Sequence, residues 1–158
     1  MKRRSTEKLR GLVDELEFAI KDRDLTSKPV SSVSICWQLE HSLLVLNAVM
    51  DVLKSSNPEE FKKKFNLSKF YIFSIGRIPK GRGRSPKSVQ PKEAATSERL
   101  GELVKVARAN ISTLSELELD KFFKHPIFGN LRLRDSTRFL ELHTEHHLKI
   151  IRAIQKSH

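Results

Sequence analysis

From Cys36 to Leu53 the residues Cys36, Leu39, Leu43, Leu46, Met50 and Leu53 recur in unbroken steps of three and four. That is the period of an α-helix with one continuous apolar seam, and a strand cannot use it, because strand side chains change face at every residue. A second set, Trp37, His41, Leu44, Val45, Ala48 and Val52, forms another apolar sector and leaves only Glu40, Asn47 and Asp51 as a polar strip. A helix apolar on two sides is a central one, so the chain is predicted to pack other helices around it.

The rest of the sequence supplies them. An amphipathic helix is predicted from about Ser5 to Arg23, with Leu9, Leu12, Val13, Leu16, Ala19 and Ile20 on one face, ended by the turn from Thr26 through Pro29. The central helix starts near Ser32 or Ser34, either of which can cap it. After Asn57-Pro58 comes a short helical piece, Glu59 to Lys64, and then Phe70 to Ile75, which reads as a brief strand or an extended segment over the bundle. Gly76, Pro79, Gly81, Gly83, Pro86 and Pro91 mark a loop. A third main helix opens at Thr96 or Ser97 with Leu100, Leu103, Val104, Ala107 and Ile111, and a fourth runs from about Arg134 to Lys156. The expectation is an all-α, antiparallel four-helix bundle: a single domain over 1–158, with a basic Gly/Pro-rich insertion at about 66–95 and no strand pair.

The 158 residues are enough to bury a core without disulfides, and the lone Cys36 sits on an apolar stripe, as a small core residue does. Met1-Lys2-Arg3-Arg4 is followed by Glu7, Lys8 and Arg10 where a signal peptide needs an apolar run, and no later apolar stretch approaches the ~20 residues of a membrane span. A cytoplasmic protein without membrane association is expected. The net charge of +11 is concentrated: between Phe61 and Lys92 there is no Asp or Glu, while Lys62, Lys63, Lys64, Lys69, Arg77, Lys80, Arg82, Arg84, Lys87 and Lys92 all fall there. The chain therefore reads as a nearly neutral domain carrying one basic segment.

Two histidines a helical turn apart, His143 and His147, lie inside the apolar sector formed by Leu140, Ile150, Ile151 and Ile154. Side chains at i and i+4 stand one above the other, roughly 6 Å apart at Cβ, which lets two imidazoles converge on one cation. A site with an open position needs a third ligand, and His41, on the second apolar face of the central helix, is the best candidate. His146 lies toward the boundary of its helix, and His125, before a proline, has no readable direction. The competing structural reading pairs these rings with Glu40, with a backbone carbonyl, or with one another through water. Thr144 stands where a zincin HExxH would need Glu, and no GxSxG, P-loop, GxGxxG or CxxC pattern occurs.

Leu39-Glu40-His41, the run His125-Pro126-Ile127-Phe128-Gly129-Asn130-Leu131, and the block His143-Thr144-Glu145-His146-His147-Leu148 together resemble the DinB-like superfamily of four-helix proteins, in a branch carrying HPxFG. The similarity runs over nearly the whole chain and is strongest in its last third. One departure is Val33-Ser34, where many relatives enter the second helix with Trp-Ser. The resemblance implies a divalent metal, zinc or nickel, on His41, His143 and His147. It also implies a metal-dependent transferase using a low-molecular-weight thiol such as bacillithiol, mycothiol or glutathione, and dimers.

Three neutral imidazoles leave a bound cation its full charge, so the expected chemistry is a thiol S-transferase or hydrolase working on a small-molecule substrate through a metal-bound thiolate or hydroxide. Arg77, Arg82 and Arg84, with Lys80, are candidate contacts for an anionic thiol if their loop covers the mouth of the site. The alternatives are a nucleic-acid-binding module using the basic loop 77–92, with Phe70, Tyr71 and Phe73 upstream, or a non-catalytic interaction bundle.

Overall fold

The computed structural model describes residues 2–79, 86–91 and 94–158. In chain order its helices are α1 (Lys2–Phe18), α2 (Ile35–Ser55), α3 (Leu67–Ile75), α4 (Ser97–Ser112) and α5 (Leu133–Gln155), and a hairpin of β1 (Phe122–His125) and β2 (Gly129–Arg132) joins the last two. Two of the long helices start where short polar side chains satisfy their first amides, whereas α5 follows directly on the hairpin with no side-chain cap. Ser34 accepts a hydrogen bond from the Trp37 N–H at the start of α2, and Thr96 accepts one from Arg99 at the start of α4.

The predicted four-helix bundle is present. α2 packs on α4 and α5, and α1 packs on the same two, so α1 and α2 occupy opposite corners. The seam of α2 reaches the middle of the core: Leu39, Leu43, Leu46, Met50 and Leu53 are fully buried, as are Leu9, Val13 and Leu16 of α1 and Leu140, Leu148 and Ile154 of α5. Polar ties fix the register between corners. Asn47 of α2 donates to the Leu103 carbonyl (3.2 Å) and accepts from Asn110 of α4 (3.1 Å). Arg152 of α5 bridges Glu15 of α1 and its own neighbour Glu145.

The second apolar face of α2 is covered differently from the expectation. Trp37, His41, Val45, Ala48 and Val52 face no further long helix; they form the wall of a cavity. Cys36 is a buried core residue whose thiol donates to the Ala95 carbonyl, and burial pushes its pKa up, away from a nucleophilic thiolate.

Three segments correct the sequence reading. Phe70 to Ile75 is neither strand nor extended: it belongs to α3, capped by Asn66, whose side chain accepts from Lys69 N at 2.8 Å, and closed by Gly76 at φ +67°. The run Phe70-Tyr71-Ile72-Phe73 looks strand-like because the helix is apolar on both sides. Ile72 faces the core, while Leu67, Phe70 and Tyr71 are exposed. The expected absence of a strand pair is also overturned, since β1 and β2 pair antiparallel with His125 opposite Gly129. The helical piece expected over Glu59 to Lys64 shrinks to one 3-10 turn, Pro58–Glu60.

The hairpin accounts for the His-Pro-Ile-Phe-Gly run. His125 Nδ1 accepts the backbone N–H groups of Ile127 and Phe128, both at 3.1 Å, so the imidazole ties the tip of the turn. Gly129 sits at φ +71°, a left-handed conformation that closes the loop and disfavours any residue with a Cβ. Phe128 is buried and stacks on the His125 ring, centroids 4.4 Å apart.

Candidate metal centre

α2 and α5 are neighbours, and the sequence places a histidine of one opposite a histidine pair of the other. His41, His143 and His147 each offer a ring nitrogen, and these nitrogens lie within 4.8 Å of one another. The ring centroids are 5.1 Å apart for His41–His143, 4.9 Å for His41–His147 and 4.6 Å for His143–His147. Ligands about 2.0–2.1 Å from a tetrahedral zinc stand about 3.3 Å from each other, so small side-chain rotations would close the triad on a cation.

Each ring is oriented by its surroundings. His41 Nδ1–H donates to the Val89 carbonyl at 2.7 Å, which leaves the lone pair of the neutral ring at Nε2. His147 Nδ1–H donates to Gln38 Oε1 at 2.5 Å, and Gln38 is held in that orientation because its amide nitrogen donates to Ser31 Oγ at 3.2 Å. Trp37 stacks on His41, centroids 4.8 Å apart. His143 Nδ1 is buried and has no hydrogen-bond partner. An orphaned nitrogen of this kind costs about 1–3 kcal/mol unless something fills the space beside it, and a cation facing three imidazoles is a fitting occupant.

The electrostatics suit the same occupant. Burial holds the pKa of His41 below its usual value and those of His143 and His147 well below it, and for the latter two the neighbouring imidazoles add to the effect. Rings biased toward the neutral form by burial keep lone pairs that a metal could use.

The backbone-carbonyl partner expected of a structural histidine is therefore real for His41, but it engages the nitrogen that points away from the cluster. Glu40 takes no part; its carboxylate lies 3.9 Å from Arg99. Glu145 also turns away, to Arg152. His146 stands edge-on to His147, with centroids 5.1 Å apart, at the rim of the cavity. Arg77 does not reach the triad's cavity: it lines an adjoining one with Tyr71, Glu145, His146 and Lys149. Arg82 and Arg84 lie outside the described residues, as does Lys80. Sequence reasoning missed Gln38 and the fixed direction of His125. A glutamine four residues after the capping Ser34 carries no signal for an imidazole 109 positions away.

The cavity over the triad measures about 460 Å³. Its walls are the second face of α2, Ile78-Pro79, the segment Pro86 to Val89, the hairpin tip and α5.

Helix order and a three-histidine cluster shared by the second and last long helices define a helical-bundle protein with the donor set of a metal site. The DinB superfamily matches residues 3–151, and the chain belongs to that superfamily. Among curated proteins and among solved structures there is no significant match. No helix among the described residues is long and apolar enough to cross a membrane.

Proposed function

We propose that the protein binds one divalent metal, zinc or nickel, through His41, His143 and His147, and acts on a small molecule in the cavity above them as a metal-dependent transferase or hydrolase. The observation that carries the reading is the buried, unpartnered His143 Nδ1 beside two imidazoles whose outer nitrogens are already engaged. His41, His143 and His147 would hold the cation beside the cavity, where it would supply Lewis acidity. The residues themselves orient it: Val89 and Gln38 hold two of the rings, and Trp37, Val45 and Phe139 keep bulk water from the cluster. Arg77 and Lys149, lining the adjoining cavity, support an anionic co-substrate such as a low-molecular-weight thiol.

Elemental analysis of untagged protein after gel filtration without chelator tests this. Close to one metal per chain in wild type, lost in His143→Ala and in His147→Ala, is the expected result. Protein that refuses added zinc and nickel overturns it. Consumption of thiols against a panel of electrophiles then separates transferase from hydrolase.

A second reading is favoured by one surface feature. Phe65 and Phe70 are 81% and 63% exposed and share a cleft with Lys63 and Lys64, a combination that suits stacked bases and phosphates, while Lys69 in the same cleft is paired with Asp135 at 2.9 Å. Salt-dependent retention of labelled single-stranded oligonucleotides, lost when Lys63 and Lys64 become Glu, would support it; unshifted oligonucleotides at low salt would remove it.

A further inference from the structure

The cavity over the triad is built mostly of carbon. Trp37, Val45, Val49, Phe123, Phe128 and Phe139 line it, with Ala48 and Val52 at its rim. A cavity for a polar cosubstrate alone would not need an apolar stripe continued along α2 for four turns. The stripe also explains why that helix reads as apolar on two sides.

One polar group in the wall has a fixed chemical identity. His125 Nδ1 accepts two backbone N–H groups, so at neutral pH that nitrogen carries no proton and the ring's single proton is at Nε2. His125 lines the same cavity as His143 and His147. Burial holds its pKa down at about 4, which keeps the ring an uncharged donor at physiological pH.

We infer that the cavity takes a small molecule with an aromatic or branched aliphatic body and a carbonyl or comparable acceptor oxygen, and that His125 Nε2–H donates to that oxygen. His125 is then a specificity residue of the proposed metal site, and it is also the residue that shapes the hairpin tip. The inference rests on the metal reading only for the placement of the reacting atoms; the apolar body and the donor are independent of metal.

The two roles of His125 separate by substitution. In His125→Asn the Oδ1 atom takes the place of Nδ1 and can accept the same two amides, while the Nε2–H is gone. In His125→Gln a donor near the position of Nε2 is kept and the turn acceptor is lost. The probes are benzamide and acetamide, titrated into metal-free protein and read by the fluorescence of Trp37, the only tryptophan. Benzamide is expected to bind about tenfold more tightly than acetamide. His125→Asn is expected to weaken benzamide about fivefold with the fold intact, and His125→Gln to retain more of the binding. Equal binding of the two amides overturns the apolar chamber. Unchanged benzamide binding in a folded His125→Asn overturns the donor. Zinc uptake by the same preparations is measured separately, so failure of the metal reading shows as absent zinc beside intact amide binding.

Discussion

Acidification should cost this protein stability through His125 in particular. Its Nδ1 faces two amide N–H groups at 3.1 Å, so protonation would set three donors against one another in a tight turn. The folded pKa of about 4 lies below the ordinary 6.5, so the native state takes up that proton more reluctantly than the unfolded chain. The contribution is therefore complete above about pH 7 and drains away as pH falls through the folded value. Between about pH 8 and pH 5, linkage gives about 2 kcal/mol lost, and about 1 kcal/mol once solvent screening at this partly exposed ring is allowed for. The assay is urea unfolding of metal-free wild type and His125→Asn at both pH values. The triad histidines, whose pKa values burial holds down in the folded state of both proteins, largely cancel in the comparison. Wild type should lose about 1–2 kcal/mol more than the variant on acidification. Equal losses would refute the argument that the turn holds this imidazole neutral.

Gln38→Leu keeps the bulk of the side chain and removes the acceptor that fixes His147, so zinc affinity measured by chelator competition should fall about 10- to 100-fold; an unchanged affinity would show that Gln38 does not orient the ring. Asn47→Ala removes the acceptor of Asn110 Nδ2 and the side-chain donor to the Leu103 carbonyl inside the α2–α4 contact, and the urea midpoint should report a loss of about 1–3 kcal/mol with the helical circular dichroism kept. A Cβ at Gly129 would meet no atom within 4 Å, so Gly129→Ala should show backbone strain alone, about 1–2 kcal/mol in thermal or urea unfolding. No loss there would mean that the turn relaxes to another conformation.

What the sequence made legible follows from which contacts are local. The seam from Cys36 to Leu53 and the stripe from Leu140 to Ile154 are periodic, so the long helices and their inward faces could be read, and with them His41, His143 and His147 as inward-facing rings. α3 was not legible, because its middle is apolar all round and its period is masked; the caps at Asn66 and Gly76 show only in the structure. The hairpin strands have four residues each, too short for alternation to declare itself. Its true signature is Gly129 after a His-Pro turn, and this becomes intelligible only once Nδ1 of His125 is seen facing two amides. Gln38 and Val89 act through partners distant in the chain, and no local pattern encodes such a pairing.

The bond from His41 to the Val89 carbonyl spans 48 positions and joins a candidate ligand to the cavity wall that Pro86 to Val89 forms. The peptide bond after the exposed Lys87 lies two residues from that carbonyl, in a segment with no long helix of its own. A single proteolytic nick there would leave every histidine in place and the bundle core untouched. It would nevertheless unfasten one imidazole from its tether, so the continuity of the main chain at an outer loop is itself part of what aims the ring.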